Sequence, residues 1–146
     1  MHCASINCIG NTHDRGKGGD RQIMDANQLL NVGIAGYGVV GKRRHAFIDQ
    51  HPRLKTIAVC DRYFDGSGVL GSGVRFYRNY KELIEEPLNI LFVCLPNYMA
   101  TEVTIAGLER RMHVFCEKPP GCVVGDVERV IKAEEQNACF YRWVAC

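Results

Sequence analysis

A glycine-rich segment and one acid downstream of it carry the clearest chemistry in this chain. The segment GYGVVG places Gly36, Gly38 and Gly41, and Asp61 follows 20 residues after the last of them. The first glycine permits a tight turn, the second lets the backbone approach a diphosphate, and the third lets helix and strand pack closely. A helix that begins here offers free N–H groups to phosphates, and Asp61 could accept hydrogen bonds from ribose hydroxyls. The spacing therefore predicts a dinucleotide site.

Two other interpretations of this segment stay open. The glycines could form only a tight strand-to-helix turn, and a methyltransferase-type Rossmann domain shares the sheet and the ribose acid, usually with a different glycine spacing. Asp61 favours NAD, because a carboxylate repels a ribose 2′-phosphate. Arg62 could pair with such a phosphate, stack on adenine or face solvent, so NADP stays possible.

The elements that must position these residues alternate along the chain. Hydrophobic patterning predicts strands at 31–36, 55–60, 74–77, 89–95, 113–116 and 138–144. Helices are expected at 42–50, 80–86, 99–110 and about 123–136, with a glycine-rich loop at 65–73. The almost unbroken apolar run at 89–95 is typical of a strand covered on both faces. The prediction is an α/β fold, a doubly wound and mostly parallel Rossmann sheet with helices on both faces.

Composition narrows the class of protein. A chain of 146 residues has room for one domain, expected at residues 31–146 after a flexible extension at 1–30. The 18 Lys and Arg against 16 Asp and Glu argue against nucleic acid as a partner. No apolar run is long enough for a membrane span, and no secretory signal is visible at the start.

The eight cysteines favour a reducing compartment over a disulfide framework. Cys60 and Cys94 lie inside apolar runs, where cysteine behaves as a small hydrophobic residue. No CxxC pair or Cys/His cluster has zinc spacing, so no metal site is expected. Buried thiols without a signal peptide predict a cytoplasmic protein.

Further motifs in the second half carry a family resemblance. Leu95, Pro96 and Asn97 end the fourth predicted strand, and the segment HVFCEKP, which contains Glu117 and Lys118, forms and ends the fifth. Together with GYGVVG and Asp61, these motifs make residues 31–137 resemble the N-terminal cofactor domain of the glucose-fructose oxidoreductase/inositol dehydrogenase/MocA (Gfo/Idh/MocA) family. Members of that family use NAD or NADP to oxidise or reduce sugars, cyclitols and related polyols.

The resemblance implies a role for each motif along the cofactor. It assigns the pyrophosphate to the three glycines with the amides of Val39 and Val40, and the adenosine ribose to Asp61 and Arg62. It places Leu95, Pro96 and Asn97 along the middle of the cofactor, and Glu117 and Lys118 beside the nicotinamide. Lys118 would contact the reacting hydroxyl as the catalytic residue, and the Lys118–Pro119 peptide is often cis in the family.

The sequence also departs from the family pattern. The histidine that often follows the Pro-Asn pair is missing, and the second crossover is glycine-rich where the family usually has a helix. The family's second, substrate-binding domain has no counterpart in these residues, so we expect a truncated chain that is catalytically incomplete alone. The alternatives are a non-catalytic nucleotide-binding or protein-interaction module, with a second copy or a partner chain covering exposed sheet, or an unstable remnant.

Overall fold

The computed structural model describes residues 28–143. Residues 1–27 of the predicted extension, and residues 144–146, lie outside this range. One sheet of seven strands has the order β3-β4-β2-β1-β5-β6-β7, and all neighbours pair in parallel except β3 with β4. The strands are β1 (Leu30–Ala35), β2 (Leu54–Cys60), β3 (Gly68–Val69), β4 (Arg75–Tyr77), β5 (Ile90–Val93), β6 (His113–Cys116) and β7 (Tyr141–Trp143). The helices are α1 (Val39–Ile48), α2 (Tyr80–Leu83), α3 (Asn97–Glu109) and α4 (Val124–Asn137).

This order confirms the predicted doubly wound Rossmann sheet. All six predicted strands form, but the region predicted as a loop at 65–73 contains the short antiparallel strand β3. Its pairing with β4 depends on chain folding back along the sheet edge, which glycine composition does not reveal. Helix α1 begins at Val39, directly from the glycine turn and three residues before the predicted start at Lys42.

Helices cover both faces of the sheet, and the burial of β5 alternates accordingly. Leu91 and Val93 point into the larger core, which α3 and α4 cover with side chains such as Val103 and Val130. Phe92 and Cys94 pack on the opposite face, in the smaller core that α1 covers through Ile48. Helix α1, which follows the glycine turn, therefore packs on the same face of the sheet as Phe92 and Cys94.

None of the helices between residues 28 and 143 combines the length and apolarity required to cross a bilayer. Within the same range, no group of three or more His, Cys, Asp or Glu side chains is placed to hold a metal ion.

Candidate functional site at the carboxyl edge of the sheet

Two glycines of the GYGVVG segment are required by close backbone packing. Gly36 has φ +92°, and a Cβ built there would lie 2.5 Å from the carbonyl oxygen of Cys94. Its N–H donates to the carbonyl of Cys60 at 2.9 Å, which ties the end of β1 to β2. A Cβ on Gly41 would lie only 2.0 Å from the carbonyl oxygen of Gly36. A side chain at either of these two positions would therefore force the turn between β1 and α1 to move.

Gly38 is different, because a Cβ there would meet no atom within 4 Å. Gly38 is the N-cap of α1, and no side chain caps the helix start. Lys42 N–H donates to the carbonyl of Gly38 at 3.0 Å, so the N–H groups of the residues between them have no carbonyl one turn behind them. Val39 and Val40 are 76% and 44% exposed. The open space over an uncapped helix start fits a diphosphate, which needs both backbone access and free N–H donors.

Asp61 is fixed against the same turn. One carboxylate oxygen, Oδ2, accepts a hydrogen bond from Tyr37 N–H at 2.8 Å, and Oδ1 accepts from Tyr63 N–H at 3.0 Å. Each oxygen keeps a further lone pair for another donor. The structure thus brings together the acid and the glycine turn, which the sequence separates by 20 residues.

A series of hydrogen bonds connects Tyr37 of the glycine turn to α1 and β2, and the sequence did not predict it. Tyr37 Oη lies 2.5 Å from His45 Nδ1, His45 Nε2 lies 3.1 Å from Asp49 Oδ2, and Asp49 Oδ1 accepts from Thr56 N–H at 3.0 Å. Burial, together with the negative charge of Asp49, raises the pKa of Tyr37, so its hydroxyl keeps its proton and donates to His45. His45 Nε2–H then donates to Asp49, a tautomer that the hydrogen-bond network assigns. Because Asp61, which follows β2, accepts from Tyr37 N–H, the turn, α1 and β2 are joined in one closed ring of contacts.

A cleft of about 790 Å³ opens at the carboxyl ends of the strands, beside the glycine turn. Of the predicted site residues, the cleft is lined by Gly36, Gly38, Asp61, Arg62, Leu95 and Pro96. Sequence reasoning did not select the other polar and aromatic residues of its wall, which are Tyr63, Arg78, Asn79, Tyr80, Lys81, Glu82, Tyr98 and Glu102. They come from the loops after β2 and β4 and from α2 and α3, and their spacing follows no recognised motif. A cleft where the strand order reverses is the usual ligand site of such sheets.

Arg62 lies at the mouth of this cleft, next to Asp61. Its guanidinium donates to Tyr63 Oη at 2.9 Å and lies 4.9 Å from the centroid of the Tyr63 ring. The sequence allowed adenine, a phosphate or solvent as the partner of the Arg62 guanidinium. In the structure this guanidinium contacts the Tyr63 ring.

The remaining predicted residues lie outside the enclosed part of the cleft. Asn97 begins α3, and its Oδ1 accepts from Tyr98 N–H at 3.1 Å. Glu117 forms an ion pair with Arg44 of α1, a partner that no sequence motif indicated. Lys118 is exposed, and the Lys118–Pro119 peptide bond is cis.

Comparison with known proteins agrees with this geometry. Residues 30–144 match the family model for the Gfo/Idh/MocA oxidoreductases, described as "Oxidoreductase family, NAD-binding Rossmann fold". The chain belongs to the Gfo/Idh/MocA family. It forms the NAD-binding Rossmann domain of that family.

Relatives of this Gfo/Idh/MocA domain act on small molecules. An inositol 2-dehydrogenase of Salmonella typhimurium is 30% identical over 116 residues, which is 74% of this chain and 34% of that protein. A D-glucoside 3-dehydrogenase of Escherichia coli is 32% identical over 96 residues, 62% of this chain and 27% of that protein. The chain thus spans between about a quarter and a third of the length of these two relatives.

Solved structures share the fold. A myo-inositol 2-dehydrogenase from Lactobacillus plantarum superposes with a TM-score of 0.66 at 25% identity, covering 80% of this chain and 36% of that one. The WlbA dehydrogenase from Bordetella pertussis, crystallised with NADH and UDP-GlcNAcA, gives a TM-score of 0.72 at 20% identity. It covers 80% of this chain and 37% of that one, and at this identity the likeness shows the fold alone.

Proposed function

We propose that this chain binds NAD as the cofactor domain of an oxidoreductase that transfers hydride between nicotinamide and a sugar or polyol hydroxyl. One observation carries the proposal: Asp61 Oδ2 is held by Tyr37 N–H, beside a helix start that is open at Gly38. A carboxylate next to free N–H donors matches a ribose joined to a diphosphate.

Each predicted residue then has a place along the cofactor. Gly36 and Gly41 shape the turn, while Gly38 and the N–H groups of Val39 and Val40 hold the pyrophosphate. Asp61 holds the adenosine ribose, and Arg62, in contact with the Tyr63 ring, closes that end of the cleft. The middle of the cofactor lies along the residues that follow β5, which are Leu95, Pro96 and Asn97.

Glu117 and Lys118 are proposed for the nicotinamide end, with Lys118 as the catalytic residue. When bound, the nicotinamide supplies or accepts the hydride. The task left to the protein is to orient the substrate carbon and to move a proton at its oxygen, and an exposed ammonium such as Lys118 Nζ can do this. The inositol and glucoside dehydrogenases among the relatives support a sugar or polyol as the substrate class.

The alternative proposal is a non-catalytic nucleotide-binding or protein-interaction module. Phe47 on α1 is 62% exposed. Phe140, which precedes the edge strand β7, and Trp143, the last residue of β7, are also exposed. Such apolar side chains support self-association or a partner chain. Light scattering of the purified chain, which gives its mass in solution, tests this second candidate directly.

Two further proposals concern the whole chain. We keep the domain at residues 31–146, supported by the family match to 30–144. We also propose a cytoplasmic location, supported by the buried free thiols of Cys60, Cys116 and Cys139, which suit a reducing compartment.

Calorimetric titration of the 146-residue chain with NADH, NADPH and S-adenosylmethionine tests the main proposal. We expect NADH to bind and Asp61→Asn to weaken that binding by about tenfold, because the ribose loses a charged acceptor. Asp65→Asn, at an exposed acid four residues further along, is the matched control and should leave affinity unchanged. No NADH binding at millimolar concentration would contradict the proposal, and tighter binding of S-adenosylmethionine would favour a methyltransferase-type domain.

A further inference from the structure

Arg44 and Glu117 form an ion pair that joins two elements 73 positions apart in sequence. Arg44 lies in the middle of α1, and Glu117 directly follows β6. The side chains are 33% and 15% exposed, and the Arg44 guanidinium also lies 5.6 Å from the centroid of the Phe115 ring. The arginine is therefore held from two sides, by an aromatic face and by a carboxylate.

The position of the pair follows from the register of the sheet. Glu117 N–H donates to the carbonyl of Val93 at 2.8 Å, which extends the β5–β6 ladder by one residue and sets Glu117 beside Cys94. Cys94 lines the cleft. Burial raises the pKa of the Cys94 thiol to about 12, with Glu117 adding to the rise and Arg44 opposing it, so both charges act at this wall of the cleft.

The pair also occupies a defined half of the site. Across the strand order β2-β1-β5-β6, Asp61 follows β2, the glycine turn follows β1, Cys94 follows β5 and Glu117 follows β6. A dinucleotide with its adenosine ribose at Asp61 and its diphosphate at the glycine turn must place its other half towards β5 and β6. Glu117 and the adjoining Lys118 lie at that end.

We propose that Arg44 is a positioning residue, which holds the Glu117 carboxylate at the nicotinamide end of the cofactor site. This inference rests on the proposed NAD function. Removing Arg44 leaves Glu117 free to turn to water, so the nicotinamide half of the cofactor loses its ordered neighbour. The adenosine half is unaffected, since its contacts come from Asp61 and the glycine turn.

Comparing NADH with ADP-ribose, which lacks the nicotinamide, isolates this effect. We expect Arg44→Met to weaken NADH binding by about tenfold and to change ADP-ribose binding by less than about twofold, measured by calorimetry. Arg44→Lys keeps the charge and should restore part of the NADH affinity. Arg43→Met removes an exposed neighbouring arginine of the same helix and should alter neither affinity.

A double-mutant cycle shows whether Arg44 acts through Glu117. Glu117→Gln alone should weaken NADH, and adding Arg44→Met to it should cause no further loss. An equal loss of NADH and ADP-ribose affinity, or a full further loss in the double variant, would overturn the inference. If thermal melting shows that Arg44→Met does not fold, Glu117→Gln and Arg44→Lys are tested in its place. Wild-type NADH affinity in both of these variants would then overturn the inference. Failure of the wild-type chain to bind ADP-ribose would instead refute the proposed NAD function.

Discussion

Alanine at Gly41 and alanine at Gly38 should have separable consequences, although the two glycines lie three residues apart. The added methyl at Gly41 would meet the Gly36 carbonyl oxygen at 2.0 Å, against at least 3.4 Å for ordinary contact, so α1 must move by about 1.4 Å. The methyl at Gly38 would meet nothing within 4 Å, and φ at this residue is −75°, which alanine adopts without strain. One substitution thus disturbs the fold, and the other only adds a methyl to the surface of the turn.

The contacts set the expected magnitudes. Overpacking of backbone against backbone costs about 1–3 kcal/mol, which for a domain of this size lowers Tm by about 4–12 °C in Gly41→Ala. Gly38→Ala exchanges a favourable N-cap residue for a poor one, a loss below about 1 kcal/mol. Its effect on NADH should be large, about tenfold or more, because the methyl occupies the space through which a diphosphate would reach the N–H groups.

Thermal melting and calorimetric NADH titration of both variants test this separation. We expect Gly38→Ala to melt near the wild type and to bind NADH weakly, while Gly41→Ala melts early. Wild-type NADH affinity in Gly38→Ala would refute the phosphate role given to the turn. An unchanged Tm in Gly41→Ala would refute the argument from the close approach to Gly36.

Three further predictions concern the hydrogen-bonded ring and the thiols. Tyr37→Phe removes the hydroxyl that donates to His45, and the free energy of unfolding should fall by about 1 kcal/mol, seen as a lower urea midpoint; an unchanged midpoint would show that this bond contributes nothing. Burial raises the pKa of the Cys60 and Cys94 thiols from 9.0 to about 12. At pH 8 a thiol reagent should therefore label the exposed Cys122 well before either of them. Early labelling of Cys60 in a peptide map would contradict this. Because both pKa values are higher in the folded state than in the unfolded state, their contribution to stability is complete below about pH 9 and is lost as pH rises towards 12, so a urea midpoint that stays level from pH 9 to 11 would contradict the burial argument.

Local pattern was sufficient for the strands, most of the helices and the candidate phosphate turn. Apolar runs and breakers lie within a few residues of one another, so the sequence predicts β6 at 113–116 with the observed bounds. The glycine spacing predicts a turn and a helix start, and Asp61 marks the end of the next strand. All three features depend more on backbone conformation than on distant contacts. The antiparallel strand β3 escaped prediction, because its pairing with β4 follows from how the chain folds back and not from the propensities of its residues.

The supporting contacts of the site were decided by the tertiary structure alone. Asp49 reaches the N–H of Thr56 only once α1 packs against β2, and the sequence shows no motif that indicates this bond. Arg44 meets Glu117 only because the strand order places β6 beside β5 on the side where α1 lies. The sequence determined which residues could bind a dinucleotide, since that chemistry belongs to a short backbone segment and one acid. Strand order and helix packing decide which charged side chains support those residues, because they bring together side chains that are far apart along the chain.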